Sequence, residues 1–484
     1  MPRDQTPDSD LPIKLGPASN GEFVPRALGP VEQEAVRRTR EEAERHARRL
    51  GVDRRAFLRT VGGAALMLGI LAACNDEERR SRGERAGGTF DTPEDPADAD
   101  AAAEALTGDE LVFDVQTHYL NFDLAAAGGF AGLAASFPQA ACGERDSRAC
   151  FSVEHYLDLL FAQSDTAMTV LSAIPIPEPA NPLAIEDMEL ALAMAEQLCG
   201  DGRVLLHGGV QPTMGAVGAQ LDGMATLVRD HPIAGWKVYT HAPGPGWWLD
   251  DHDASAPQVG TDFLRRVAET GPRMVCVHKG LSGGSENASP VDIGPAAKAH
   301  PDIDFVVYHS GYESGTPEGP YAPTAPRGVD RLLASLEQAG IGPGENVYAE
   351  LGSTWWLLMR DTTQAAHVLG KLLAHLGPDR IVWGTDSLWY GSPQDQIQAF
   401  RAFEILPELQ EVHGYPALTP EVKRKILGEN ALALYGVDAP GGPCTFTADE
   451  LAEARRMQPA SWHTYGPSTS RELAALLGSH GALA

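Results

Sequence analysis

Eight short runs rich in β-branched and aromatic residues recur between residues 111 and 387, most of them ending in polar residues. They are LVFDVQTH (111–118), AMTVLSAIP (167–175), RVLLHGGVQP (203–212), IAGWKVYT (233–240), RMVCVHKG (273–280), DFVVYHSG (304–311), NVYAELGS (346–353) and RIVWGTDS (380–387). Between them, amphipathic stretches predict helices over Leu183–Leu198, Ala219–Arg229, Phe263–Glu269, Val329–Gln338 and Ala365–His375. Near-continuous apolar runs suit strands buried on both faces, and their alternation with helices is the pattern of parallel βα units. Eight such units predict an α/β fold, a closed (β/α)8 TIM barrel, whose chemistry gathers at the C-terminal ends of its strands. An open doubly wound sheet is the runner-up, but no glycine-rich phosphate turn follows the first run. One more helix is expected over Pro420–Tyr435, stopped at Gly436, and another in TADELAEARRMQ.

The polar strand ends are the candidate site. Side chains two apart on a strand share a face, so Gln116 and His118 point at one place, with Asp114 behind them. Lys237 closes the fourth run, His278 the fifth, His309 the sixth and Asp386 the eighth. A lone strand-end histidine is ordinarily a packed structural residue. Three histidines and an aspartate at one end of one barrel are harder to explain by packing. Imidazole and carboxylate suit Zn and similar divalent ions, which lower the pKa of bound water, and a histidine left unligated supplies acid–base chemistry near neutral pH. Lys237 is a candidate partner for a substrate carboxylate, and Glu350 and Lys279 are further mouth residues. Trp247, Trp248, Trp355, Trp356 and Trp389 follow the strands and are candidates either to wall an apolar or aromatic substrate or to pack loops onto the barrel.

The "HKG" of the fifth run, DFVVYHSG, RIVWGTDS and the later KRKILGENALALYG together resemble the amidohydrolase-related family (amidohydrolase family 2) of the metal-dependent hydrolase superfamily, over roughly residues 111–436. The resemblance implies a barrel using one divalent metal ion, Zn or else Mn, for hydrolysis or non-oxidative decarboxylation. It implies His118, His278 and Asp386 as metal ligands and His309 as the acid–base group beside Asp386. Gln116 falls where the family has the first histidine of a pair. An amide oxygen is a weaker donor than imidazole, so a looser metal site is expected, with Gln116 as oxygen ligand or as hydrogen-bond partner of the bound water. The expected activity is metal-dependent hydrolysis of a small aromatic or carboxylate-bearing molecule, with Lys237, Trp247, Trp248, Trp356 and Trp389 on the substrate side. A decarboxylase on the same scaffold and a catalytically degenerate, ligand-binding surface lipoprotein are the alternatives.

The chain has 484 residues, with 66 Asp and Glu against 38 Lys and Arg, a net charge of −28 that argues against a nucleic-acid partner. Near the front, Arg54 and Arg55 precede Phe57 and Leu58, an apolar run Val61–Ala73, and Leu71-Ala72-Ala73-Cys74. These resemble a twin-arginine export signal followed by a lipobox, which implies export to the cell envelope and a lipid anchor at Cys74 as the only membrane contact. On that reading residues 1–74 are an extension and signal, 75–110 a disordered acidic linker, 111–436 the barrel and 437–484 a C-terminal extension. Cys142 and Cys150 either pair or stand as free thiols, while Cys199, Cys276 and Cys444 show no metal-ligand spacing. A homo-oligomer of the barrel is also expected.

Overall fold

Continuously apolar strands fold where both faces can be covered, and here they do so as a barrel. A computed structural model describes residues 11–457 apart from 17–18, 21, 24–25, 123–136, 177–180, 216, 243, 253–256 and 282–284. A short strand β1 (Gly88–Phe90) precedes β2 (Val112–Thr117), β3 (Thr166–Leu171), β4 (Val204–Val210), β5 (Ile233–Tyr239), β6 (Met274–His278), β7 (Asp304–Tyr308), β8 (Val347–Glu350), β9 (Ile381–Val382) and β10 (Phe403–Ile405). Strands β2 to β9 pair in sequence order and in parallel. The seam between first and last is closed by Val115 N–H donating to Trp383 O at 3.0 Å, Asp386 N–H to Gln116 O at 2.9 Å and His118 N–H to Ser387 O at 2.6 Å. The structure is the expected (β/α)8 barrel.

Inside it, Phe113, Val115, Met168, Val170, Cys276, Val306 and Tyr308 form a packed core, and a larger apolar layer lies between strands and helices. The helices expected from the sequence occur at Ile185–Cys199, Val217–Asp230, Val259–Thr270, Val329–Ala339 and Thr362–Leu376. Pro420–Tyr435 is helical throughout and stops at Gly436, whose φ of 62° is left-handed. Helix Ala448–Met457 packs on Ile185–Cys199, and a disulfide joins Cys199 to Cys444. Cys142 and Cys150 are also bonded. The second pair was not foreseen, because 245 residues separate its cysteines and only the fold brings them together.

The front of the chain departs most from expectation. Helix α1 (Pro30–Leu50) buries Ala35, Val36, Ala43 and Ala47, while its arginines pair with Glu34 and Glu41 outside. Arg54 and Arg55 lie in α2 (Arg54–Leu58) and the apolar run in α3 (Val61–Ser81), whose Met67, Leu68 and Leu71 join the barrel's outer core. Cys74 is 4% exposed, mid-helix in the uncut chain. Among the described residues no helix is long and apolar enough to cross a membrane. The stretch expected as a disordered linker instead carries the end of α3, β1, which pairs antiparallel with β10, and helix α4 (Ala99–Leu106). Its charges misled: Phe90, Ala102 and Leu106 are spaced widely yet all reach the core.

Candidate active site

At the C-terminal end of the barrel the strand-end residues meet in two sub-clusters. His118 donates from Nδ1 to Ser172 O at 2.6 Å, which leaves its Nε2 turned toward Asp386 Oδ1 at 3.4 Å. His309 likewise donates from Nδ1 to Gly352 O at 2.7 Å, and its Nε2 stands 3.2 Å from His278 Nδ1. Fixing one ring nitrogen on a backbone carbonyl sets the tautomer and presents the other as a lone pair. Burial holds His309 down to about 4 and His278 well below the usual range, so both are neutral.

Asp386 is a hub. Its Oδ1 accepts from Gln116 Nε2 at 3.0 Å and Trp389 Nε1 at 3.2 Å, and its Oδ2 from Ser353 Oγ at 2.6 Å and Asn20 Nδ2 at 2.8 Å. Burial would raise this carboxyl, but the hydrogen bonds it accepts, that from Ser353 Oγ among them, hold it below the usual carboxylate range. Gln116 sits in the site as its spacing predicts, yet it offers its amide nitrogen: Nε2 serves Asp386 and lies 3.5 Å from His309 Nε2, while Oε1 has no partner. A side chain at Gly352 or Gly384 would collide with Gln116 or Glu350, so both glycines are needed for this close approach.

The sequence reading missed three parts of the site. Glu22 and Asn20 come from the N-terminal segment: Glu22 Oε1 is 3.4 Å from His278 Nε2 and Oε2 is 3.9 Å from His309 Nε2. Among the described residues, Glu22, His278 and His309 are the one group of three potential metal ligands. No periodicity or motif marks residues 19–23, so nothing in the sequence signalled them. Ser353, which also meets Tyr390 OH at 2.9 Å, is the third, and its place at a strand end just after Glu350 was a usable signal. His309, Ser310, Ser353 and Asp386 all have left-handed φ, between 53° and 64°. Such non-glycine conformations cost of order 1–3 kcal/mol each and persist where surroundings over-determine them. Glu350 does this for two of them: its carboxylate accepts from His309 N at 3.0 Å and its carbonyl from Ser310 Oγ at 2.6 Å.

Lys237 lies on β5, 1% exposed, its Nζ 3.5 Å above the Tyr308 ring and without a hydrogen-bond partner. Burial pushes it down to about 8, although Cys276, Glu350, Asp386 and Glu22 pull it back up. The tryptophans divide. Trp389 belongs to the site, stacked on His118 at 5.6 Å and bonded to Asp386. Trp356 stacks on Tyr390 at 4.2 Å, one residue removed from Ser353. Trp247 is buried against Phe263 with its Nε1 on Tyr239 O, and Trp248 stacks on His252, so these two hold a loop to the barrel. Lys279 is likewise spent on Asp292 and Asn287 O, and Asp114 braces the seam through Thr385 rather than facing the mouth. Beside Glu22 opens a cavity of about 810 Å³, lined among others by Phe23, Arg26, Tyr312 and Arg360.

Several solved structures are similar to this one at low identity. A protein of Pseudomonas putida assigned provisionally as 2-pyrone-4,6-dicarboxylic acid hydrolase is 19% identical, with a TM-score of 0.41 over 67% of this chain and 97% of its own. A TIM-barrel protein of Bordetella bronchiseptica gives 15% and 0.47 over 68% and 99%. The 5-carboxyvanillate decarboxylase of Novosphingobium aromaticivorans, solved with manganese and a nitrobenzoic acid, gives 13% and 0.41 over 68% and 97%. None of the curated proteins matches. The amidohydrolase family model matches residues 163–437, from β3 to past the last barrel helix, a stretch that carries Lys237, His278, His309, Glu350 and Asp386 and begins after Gln116 and His118. The chain belongs to the amidohydrolase family.

Proposed function

We propose that the protein is a metal-dependent hydrolase of a small carboxylate-bearing molecule. The observation that carries this reading is Lys237: a buried ammonium without a hydrogen-bond partner, within electrostatic reach of a histidine–carboxylate cluster, is a seat for an incoming anion. The donor set fits a divalent cation, because His278 and His309 are neutral and present ring nitrogens beside carboxylates. Bound there, Zn or Mn would polarise a carbonyl and make water acidic enough to react near neutral pH. The chain's own residues do the rest. Lys237 orients the substrate carboxylate, and Trp389 and Tyr390 exclude solvent along one wall. His118, fixed through Nδ1 and paired with Asp386 through Nε2, holds and returns a proton at Nε2.

Non-oxidative decarboxylation is the second reading, favoured by the same lysine, since it holds a carboxylate equally well when that group is the one expelled. Turnover of a carboxylate panel in 18O-labelled water separates the two. Hydrolysis incorporates label into the product, whereas decarboxylation releases carbon dioxide and leaves the rest unlabelled. Lys237→Met should raise KM for carboxylates on the order of 100-fold while leaving bound metal unchanged. A metal-free, inactive parent protein would remove the proposal. We further infer an oxidising compartment, supported by the Cys142–Cys150 and Cys199–Cys444 disulfides and by the Arg54-Arg55 pair.

A further inference from the structure

The described residues before α1 hold the barrel's outer core at Ile13 and Leu15 and its mouth at Asn20 and Glu22, an arrangement called the strap below. Ile13 and Leu15 are fully or nearly buried in the outer core. Lys14 binds Asp395 through its backbone N–H at 2.8 Å and through Nζ at 2.6 Å, and Leu15 O accepts from Arg360 Nη1 at 2.9 Å. Beyond these anchors Asn20 reaches Asp386, and its Oδ1 accepts the Glu22 N–H at 3.0 Å, which turns the Glu22 carboxylate onto the two histidines.

We propose that Glu22, delivered by this strap, is the carboxylate ligand of the metal site. The inference rests on the metal-dependent reading above. Gln116 gives its amide nitrogen to Asp386, and its Oε1 stands close over Gly352. Gly352 O, His309, His278 and Glu22 Oε1 form a row with gaps of 2.7, 3.2 and 3.4 Å. Bonds of about 2.1 Å in a tetrahedral site separate neighbouring ligand atoms by roughly 3.4 Å. His278 Nε2 and Glu22 Oε1 are 3.4 Å apart, and one ligand atom from each of Glu22, His278 and His309 lies within 4.8 Å of the others.

The test uses the full chain. Zn2+ and Mn2+ stoichiometry and affinity are measured by chelator competition for the parent, Glu22→Gln, and Glu22→Gln combined with Gln116→Glu, with thermal melting of the metal-free proteins alongside. The parent should bind one ion per chain. Glu22→Gln, nearly isosteric, should melt as the parent does and bind on the order of 100-fold more weakly, beyond the usual effect of an outer-shell change. Restoring a carboxylate from β2 should recover at least a tenfold part of the loss. Equal affinity in parent and Glu22→Gln, or a loss tracking a lowered melting temperature with no recovery in the double variant, overturns the strap ligand alone. A parent that binds no ion overturns the metal-dependent reading with it.

Discussion

His207, on β4, has Nδ1 2.8 Å from Ser172 Oγ and Nε2 2.8 Å from Tyr435 OH. Burial above all, then the charges of Lys237 and His118, push it down to about 3, so the folded chain keeps it neutral. An unfolded histidine titrates near ~6.5, so below that pH the unfolded chain binds a proton that the folded chain refuses. Stability from this residue is therefore full above ~6.5 and is lost as pH falls from there toward 3. His207→Gln keeps polar contacts without the titration. Relative to it, the parent should lose up to about 1.4 kcal/mol per pH unit below pH ~6 in urea unfolding, and parallel pH profiles would refute the assignment. Residues at strand ends were legible for a simple reason: β-periodicity fixes which way Gln116, Lys237 and His278 point once the strands are placed, and His118 and His309 follow directly on their strands. What each does was less legible, because roles hang on the partner of the second ring nitrogen or of the amide. Ser172 O, Gly352 O and Asp386 are far from those residues in sequence, and only folding brings them there.

At the scale of elements, apolar runs marked the barrel strands and most helices, but gave no sign that the strap and the first three helices pack on the barrel. An arginine pair and thirteen apolar residues carry the same pattern whether they serve as a leader or as α2 and α3 packed on a barrel. What distinguishes α3 here is its partner surface: Asn75 Nδ2 donates to Arg360 O at 3.1 Å, and Leu68 and Leu71 share the core of the barrel helices. The strap has still less local signature, since its few apolar residues gain meaning only against the barrel. Ile13→Ala should cost about 2–4 kcal/mol of strap docking, the usual range for emptying a buried aliphatic site. Limited proteolysis should then cut within the first thirty residues much faster than in the parent, with the main thermal transition unmoved. If cleavage rates match, the strap is held by something other than its apolar anchors.

Over the whole molecule, the barrel is joined to its N-terminal helices by the β1–β10 ribbon and to its C-terminal helix by the Cys199–Cys444 bond, so both extensions are parts of one packed unit. This bears on processing. Severing the chain before Cys74 removes Glu22 from the site together with the core residues of α1 and α3. Intact mass measurement of the active protein from its native cells should therefore find residue 22 present, and an active form beginning at Cys74 would refute the strap ligand. The barrel seam has a further consequence. Gln116 and His118 lie on the first barrel strand, Asp386 just past the last, and Asn20 meets Asp386 across 366 residues of sequence. During synthesis the early histidine and the strap emerge long before the aspartate that holds them. The Asp386 hub is thus assembled only after every barrel strand has been made, and a nascent chain cannot close the pocket until the last of them has emerged.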